Sequence, residues 1–279
     1  MEPVLIDLND YERTGEGANG ASYNHKTDKS IMLKLYFRNF EAAKQELEVA
    51  QKVYAMGIPT PEPGDLVTDG KAMGIRFRRI DGKKSYSRAC GDNPERTEEY
   101  AREFAQLCKR LHATHVDTTQ FENVKDRLYA MLADNPFFTG EQKQKIHDFI
   151  AAAPDADTAI HGDLQFGNGI FVEKDGVRTP YFIDLGDFCY GCKMLDVSMV
   201  YLCSCLSNEE FIQEAFHMPK SLSEKFWECF AHAYFGADRP LRDINEEVDP
   251  YAGIKTLLVE RDSRCPMPEF RAKLVSILK

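Results

Sequence analysis

No stretch of the 279 residues approaches the run of about 18 apolar side chains that a membrane-spanning helix needs. The start, MEPVLIDLND, has neither a basic leader region nor a long apolar run, so no secretory signal is expected there. Positive charge is also in short supply. Lys and Arg total 35 against 45 Asp and Glu, a formal net charge of −10. A surface of that sign repels phosphate backbones and anionic lipid heads, so neither nucleic acid nor a membrane surface is an expected partner, whereas a cationic small molecule is tolerated. The eight cysteines follow no small-domain disulfide framework, and without an export signal they are expected as thiols of a cytoplasmic protein. There is no internal repeat and no low-complexity tract, and the length suits two moderate domains or one large one.

Local patterns divide the chain. VLIDL at 4–8 and SIMLKLYF at 30–37 read as strands, residues 39–56 as a helix, and AMGIRFRRI at 72–80 as a strand closed by Asp81-Gly82. Gly57, Pro59, Pro61 and Pro63 break the helix. The pattern then turns helical. Tyr100, Phe104, Leu107, Cys108 and Leu111 recur at helical spacing within 96–114, and helices are expected over 121–133 and 141–152. AIHGDLQFGNGIFVE runs into Lys174-Asp175-Gly176, a hairpin signal, with TPYFIDLG returning, and from about 194 the chain reads mostly as helix. The expected class is α+β in two domains, strand-rich over 1–81 and mainly helical over 82–279.

The sharpest chemistry sits at the hairpin. His161-Gly162-Asp163-Leu164-Gln165-Phe166-Gly167-Asn168 sets a carboxylate and an amide five residues apart in a polar loop. A carboxylate can orient a hydroxyl and accept its proton, and an amide oxygen is a hard ligand suited to Mg²⁺. Further on, Ile183-Asp184-Leu185-Gly186 ends an apolar strand with a second hard ligand and a glycine that permits a tight turn. Asn168 and Asp184 thus fall at matching ends of a paired hairpin, where they could share one cation.

In combination, His-x-Asp-x-x-x-x-Asn and Ile-Asp-x-Gly resemble the catalytic loop and metal-binding motif of the aminoglycoside phosphotransferase and choline kinase family, relatives of the protein kinases. The likeness runs over roughly residues 10–200. It implies a bilobal, protein-kinase-like fold: a small antiparallel-sheet lobe with one helix, and a larger, mainly helical lobe. It implies a small-molecule kinase that moves the γ-phosphate of ATP or GTP to a hydroxyl, with Asp163 as the catalytic Asp and Asn168 and Asp184 as the Mg²⁺ ligands. Asp196 matches a family Asp that braces the catalytic loop, His161 is expected to fix that loop through hydrogen bonds, and Leu111-His112 to serve packing. Gln165 stands where the family carries a basic residue or histidine, and Leu185 where an aromatic is commoner. These departures bear on subfamily and not on reaction class.

The remaining parts of such a kinase can be placed. Gly15, Gly17 and Gly20 form a G-x-G-x-x-G run with a strand on both sides, which argues for a hairpin flap over phosphates and against a dinucleotide-binding turn. Lys34 is a cation inside an apolar strand and needs a partner. On a helical wheel of 40–54, Phe40, Ala43, Leu47, Ala50 and Tyr54 share one face, Glu46 lies at its border, and Glu41 and Glu48 point the other way. Glu46 is therefore expected to pair with Lys34 and hold it against the α- and β-phosphates. Phe77, Arg78, Arg79 and Ile80 fall at the family's hinge, where backbone groups would bond an adenine.

Cys189-Tyr-Gly-Cys192 with Cys203-Ser-Cys205 offers a rival zinc or redox site, but C-x-C is poor zinc spacing and YLCSCL reads as a buried helix face. The acceptor is expected to be an aminoglycoside, choline or amino sugar, because Glu209, Glu210, Glu214, Glu224, Glu228, Asp238, Asp243, Glu246 and Glu247 make the C-terminal helices acidic. The same acidity suits an ordinary wet surface. Two other functions stay open. A protein kinase needs a longer peptide platform than the stretch from Gly186 to Asp196, ten residues further on. A non-catalytic nucleotide-binding module would not need the catalytic positions that are filled here.

Overall fold

The computed structural model describes residues 2–16, 20–37, 40–262 and 274. The chain forms two compact units, Met1–Lys84 with Ile170–Asp187, and Ser85–Gly169 with Phe188–Lys279. The boundary expected between 81 and 82 thus falls slightly later. The hairpin segment 170–187, expected with the helical part, belongs to the first unit. Local contacts account for this. The Phe182 N–H donates to the Pro59 carbonyl at 2.8 Å, and a Cβ on Gly186 would lie 3.2 Å from the Glu46 carboxylate.

In the first unit, β1 (Val4–Leu5), β2 (Tyr11–Glu16), β3 (Gly20–His25), β4 (Ile31–Tyr36), β5 (Pro63–Thr68) and β6 (Met73–Arg78) form one sheet in the order β1-β5-β6-β4-β3-β2. Its pairs are antiparallel except β1 with β5, so the expected antiparallel sheet carries one parallel edge. The helix α1 (Phe40–Ala55) packs Ala43, Leu47 and Ala50 on Tyr36, Leu66, Ile75 and Phe77. Val53 is buried, whereas Tyr54, expected on the apolar face, is 44% exposed. Val53, three residues after Ala50, takes its place on the sheet side of the last turn. The proline stretch that stops α1 leads straight into β5, whose first residue is Pro63, a position where a missing N–H is tolerated. Asp175 and Gly176 have φ of 53° and 77°, the pair of left-handed residues that a type I′ hairpin turn needs.

The second unit holds α2 (Tyr86–Asp92), α3 (Thr97–His112), α4 (Val124–Ala133), α5 (Gly140–Ala152), α6 (Met194–Tyr201), α7 (Glu209–Phe216), α8 (Lys220–Phe235) and α9 (Leu241–Asp262). Ser85, Asn123 and Asn208 cap the starts of α2, α4 and α7, and Thr139 with Gln142 forms a capping box on α5. The core is aromatic. The Phe104 ring lies 5.3 Å from Tyr86 and 5.8 Å from Phe230, and the Phe166 ring lies 4.3 Å from Phe216 and 5.1 Å from Phe226. Phe166 belongs to the polar loop 161–168, so its burial, worth about 1.5–3 kcal/mol, anchors that loop to the helices. Among the described residues, no helix is long and apolar enough to cross a membrane.

Candidate active site

The first unit gathers charges around one lysine. Lys34 lies in the sheet interior, opposite Ser22 of β3 and Ile75 of β6. Its Nζ donates to both carboxylate oxygens of Glu46 at 2.8 Å and to Asp184 Oδ1 at 2.7 Å. Glu46, placed by its wheel position at the border of the apolar face, reaches the lysine from α1. Tyr36, two residues past Lys34 on the same strand face, donates its hydroxyl to Glu46 Oε2. Burial is the largest influence on Lys34 and disfavours the ammonium, but the Asp184 and Glu46 carboxylates outweigh it and hold the pKa well above the ordinary value. Burial pushes the Glu46 carboxyl up, against the opposing pull of Lys34, and pushes the Tyr36 phenol up as well. Asp184 has a φ of 63°. This left-handed turn, which aspartate tolerates better than most residues, follows a return strand that ends at Phe182 and not at the expected Gly186.

The second unit gathers side chains around a backbone. Asp196, fully buried in α6, accepts the His161 N–H at 2.5 Å and the Gly162 N–H at 2.8 Å. It also meets His112 Nε2 at 3.2 Å, and His112 Nδ1 lies 2.6 Å from the Tyr234 hydroxyl. His112, expected only to pack, is thus part of the brace. Burial alone would raise the Asp196 pKa, but the hydrogen bond and charge of His112, with Lys255 and His161, bring it below the ordinary value. Lys255 of α9 donates to the Gly162 carbonyl. Asn168 Nδ2 donates to the Asp163 carbonyl at 3.0 Å and to Asp163 Oδ2 at 2.9 Å, so the amide oxygen points the other way. Gln165, the departure from the family pattern, accepts the Gly167 N–H on Oε1 and the Asn168 N–H on its carbonyl, which closes the loop on itself.

Other expected positions fare differently. Gly15 lies in β2 and Gly20 in β3, while Gly17 lies outside the described residues. A Cβ on Gly20 would collide with the Leu35 carbonyl, so close strand approach requires that glycine. At 77–80, the Arg78 N–H donates to Glu62 O at 2.8 Å and the Arg79 N–H to Ser30 O at 2.7 Å, which uses both donors within the unit. The Arg79 side chain pairs with Asp81 at 2.6 Å, Phe77 is in the core, and Ile80 is half-buried. Burial raises the thiols of Cys192 and Cys203, opposite to the shift a nucleophilic or metal-binding thiolate needs. Of the acidic side chains between 209 and 247, Glu224, Asp243, Glu246 and Glu247 lie within 4.0 Å of a Lys or Arg side-chain nitrogen, and Glu209 accepts the Lys220 N–H. Tyr36, Tyr234 and Lys255 carry no expectation from the sequence, and His112 is expected there only to pack. Tyr36 alone had a local signal, its i+2 spacing from Lys34.

The model of the phosphotransferase enzyme family matches residues 10–239. The fold is shared with a thermostable mutant of aminoglycoside phosphotransferase APH(4)-Ia, at TM-score 0.62 and 14% identity over 96% of this chain and 94% of that one. A streptomycin–ATP–APH(2'')-IIa ternary complex gives 0.56 and 17% over 98% and 91%. A choline/ethanolamine kinase family protein from Mesorhizobium loti gives 0.54 and 14% over 96% and 85%. No curated protein matches the sequence. The fold is the α+β architecture of these kinases. The chain belongs to the phosphotransferase enzyme family.

Proposed function

We propose that this phosphotransferase moves the γ-phosphoryl group of ATP or GTP onto a hydroxyl of a small, amine-bearing alcohol such as an aminoglycoside, choline or an amino sugar. The observation that carries the reading is the loop at Asp163. Its backbone is held by Asp196 and Lys255, and its carboxylate is held by the Asn168 amide. Such fixed geometry is what phosphoryl transfer draws on, since positioning and charge stabilisation supply most of the rate. Asp163 would orient the acceptor hydroxyl and take its proton. Lys34, oriented by Glu46, and the 15–20 loop would position the triphosphate. Asn168 and Asp184 fit Mg²⁺ by donor type, offering an amide oxygen turned away from Asp163 and a carboxylate, and the ion would offset charge on the phosphate oxygens. A base bound at the 77–80 segment would draw on the backbone of Ile80 and Asp81, because the donors of Arg78 and Arg79 are used. Streptomycin and ATP occur together in the APH(2'')-IIa complex, which supports a nucleotide plus a hydroxyl-bearing acceptor.

The test is coupled ADP or GDP release with Mg²⁺ and a panel of aminoglycosides, choline, ethanolamine, amino sugars and sugar alcohols. Turnover is expected with at least one acceptor, and Asp163→Ala should lower kcat by about 10³-fold or more. Nucleotide binding without turnover on any acceptor would favour a non-catalytic module, and phosphorylation of protein substrates alone would favour a protein kinase.

A further inference from the structure

We propose that Lys255 is a positioning residue for Asp163, a role that rests on the function proposed above. Lys255 lies in the C-terminal helix α9, where the sequence carries no readable motif, and it is 0% exposed. A buried ammonium is costly unless it is partnered. Its Nζ donates to the Gly162 carbonyl, and its charge acts on the Asp196 carboxylate. Gly162 and Asp196 are buried together with it.

The hydrogen bonds divide the loop plane by plane. The N–H groups of His161 and Gly162 belong to the two peptide planes before the Gly162 Cα, and Asp196 holds both. The Gly162 carbonyl belongs to the next plane, which ends at the Asp163 nitrogen, and Lys255 holds that one. The Asp163 carbonyl opens the plane after it, and Asn168 holds that. Lys255 therefore governs the rotation that sets ψ of Gly162 and φ of Asp163. Gly162 has a φ of 87° and no Cβ to limit this rotation. Without the lysine donor that plane loses its hold, and Asp163 is fixed from the Asn168 side alone.

The test is Lys255→Met in the full chain, which keeps the side-chain length and removes the charge and the donor. Turnover is expressed per nucleotide-binding site counted by titration, so loss of folded protein does not enter. The expected result is a fall in kcat of about 30- to 100-fold, the scale of a displacement near 1 Å, with nucleotide KM within about threefold of wild type. An unchanged kcat per site overturns the proposal and leaves Lys255 a stability element. Should the variant not fold, Lys255→Gln, which removes the charge and shortens the side chain, is measured in the same way. The same loss of kcat per site with nucleotide KM little changed is expected, and an unchanged kcat per site overturns the proposal. A wild type that turns over no acceptor removes the function and this role together, and is distinguishable because the parent enzyme is then silent as well.

Discussion

The two units hold their polar groups in opposite ways. In the first, Lys34 meets Glu46 and Asp184 through long side chains, and the Lys34 and Asp184 side chains are 22% and 52% exposed. In the second, Asp196 and Lys255 are 0% exposed and hold peptide groups. The Lys34–Asp184 pair, half-exposed at its carboxylate, costs little to rearrange, whereas Glu46, with a side chain only 7% exposed, keeps its hold on Lys34. Buried charges on backbone groups cannot shift without leaving polar atoms unsatisfied, so the second is fixed before any ligand arrives. One carboxylate that can leave its lysine and a loop that cannot leave its brace are thus the two ways this chain holds charge.

The largest expected effect breaks this contrast directly. Asp196→Ala strands the His161 and Gly162 N–H groups and leaves the Lys255 charge uncompensated. It should cost about 3–5 kcal/mol of stability in urea unfolding. Asp184→Ala removes a half-exposed partner while Glu46 still holds Lys34, and should cost at most about 1 kcal/mol. Equal losses in the two variants would mean that the exposures do not describe how the two units bear charge.

A smaller effect separates the units by pH. Asp196 has a folded pKa below its ordinary 3.8, so the unfolded chain binds more protons there. Its contribution is present above pH 3.8 and is lost as pH falls through the folded value. Glu46 has a folded pKa above 4.5, so its carboxyl acts with opposite sign, and stability declines as pH rises from 4.5 to the folded value. Hydrogen exchange on amides of each unit should show the two slopes. Asp196→Asn should flatten the acid-side rise of the second unit, and Glu46→Gln the decline above 4.5 in the first.

What was legible in the sequence follows the reach of each interaction. The helix at 40–55, the strand around Lys34 and the choice of Glu46 over Glu41 and Glu48 all follow from local periodicity. The loop 161–168 was legible because its residue types are chemically specific. The seven-residue α2 was too short to show a period, and β5 was hidden by the prolines that open it. Lys255 lies 93 residues from the carbonyl it holds, and Asp184 lies 150 from Lys34. Neither contact leaves a mark on the sequence near it. Tertiary packing alone brings these partners together, and a lysine in an amphipathic helix reads the same whether it faces water or a carbonyl.

The finest distinction lies within the first unit, at Tyr36. Its hydroxyl donates to Glu46, and its ring lies 5.1 Å from Lys34 Nζ, so one residue touches both members of the pair. Tyr36→Phe removes the hydroxyl and keeps the ring. A single hydrogen bond to a charged carboxylate is worth about 1.5–3 kcal/mol, so stability should fall by that amount. Nucleotide KM should rise by no more than about fivefold, since the ring still flanks the cation. Tyr36→Leu removes both and should weaken nucleotide binding further. If the Phe variant already matches the Leu variant, the hydroxyl on Glu46 orients Lys34. If it matches wild type, the ring and the two carboxylates hold the lysine, and Glu46 needs no third donor.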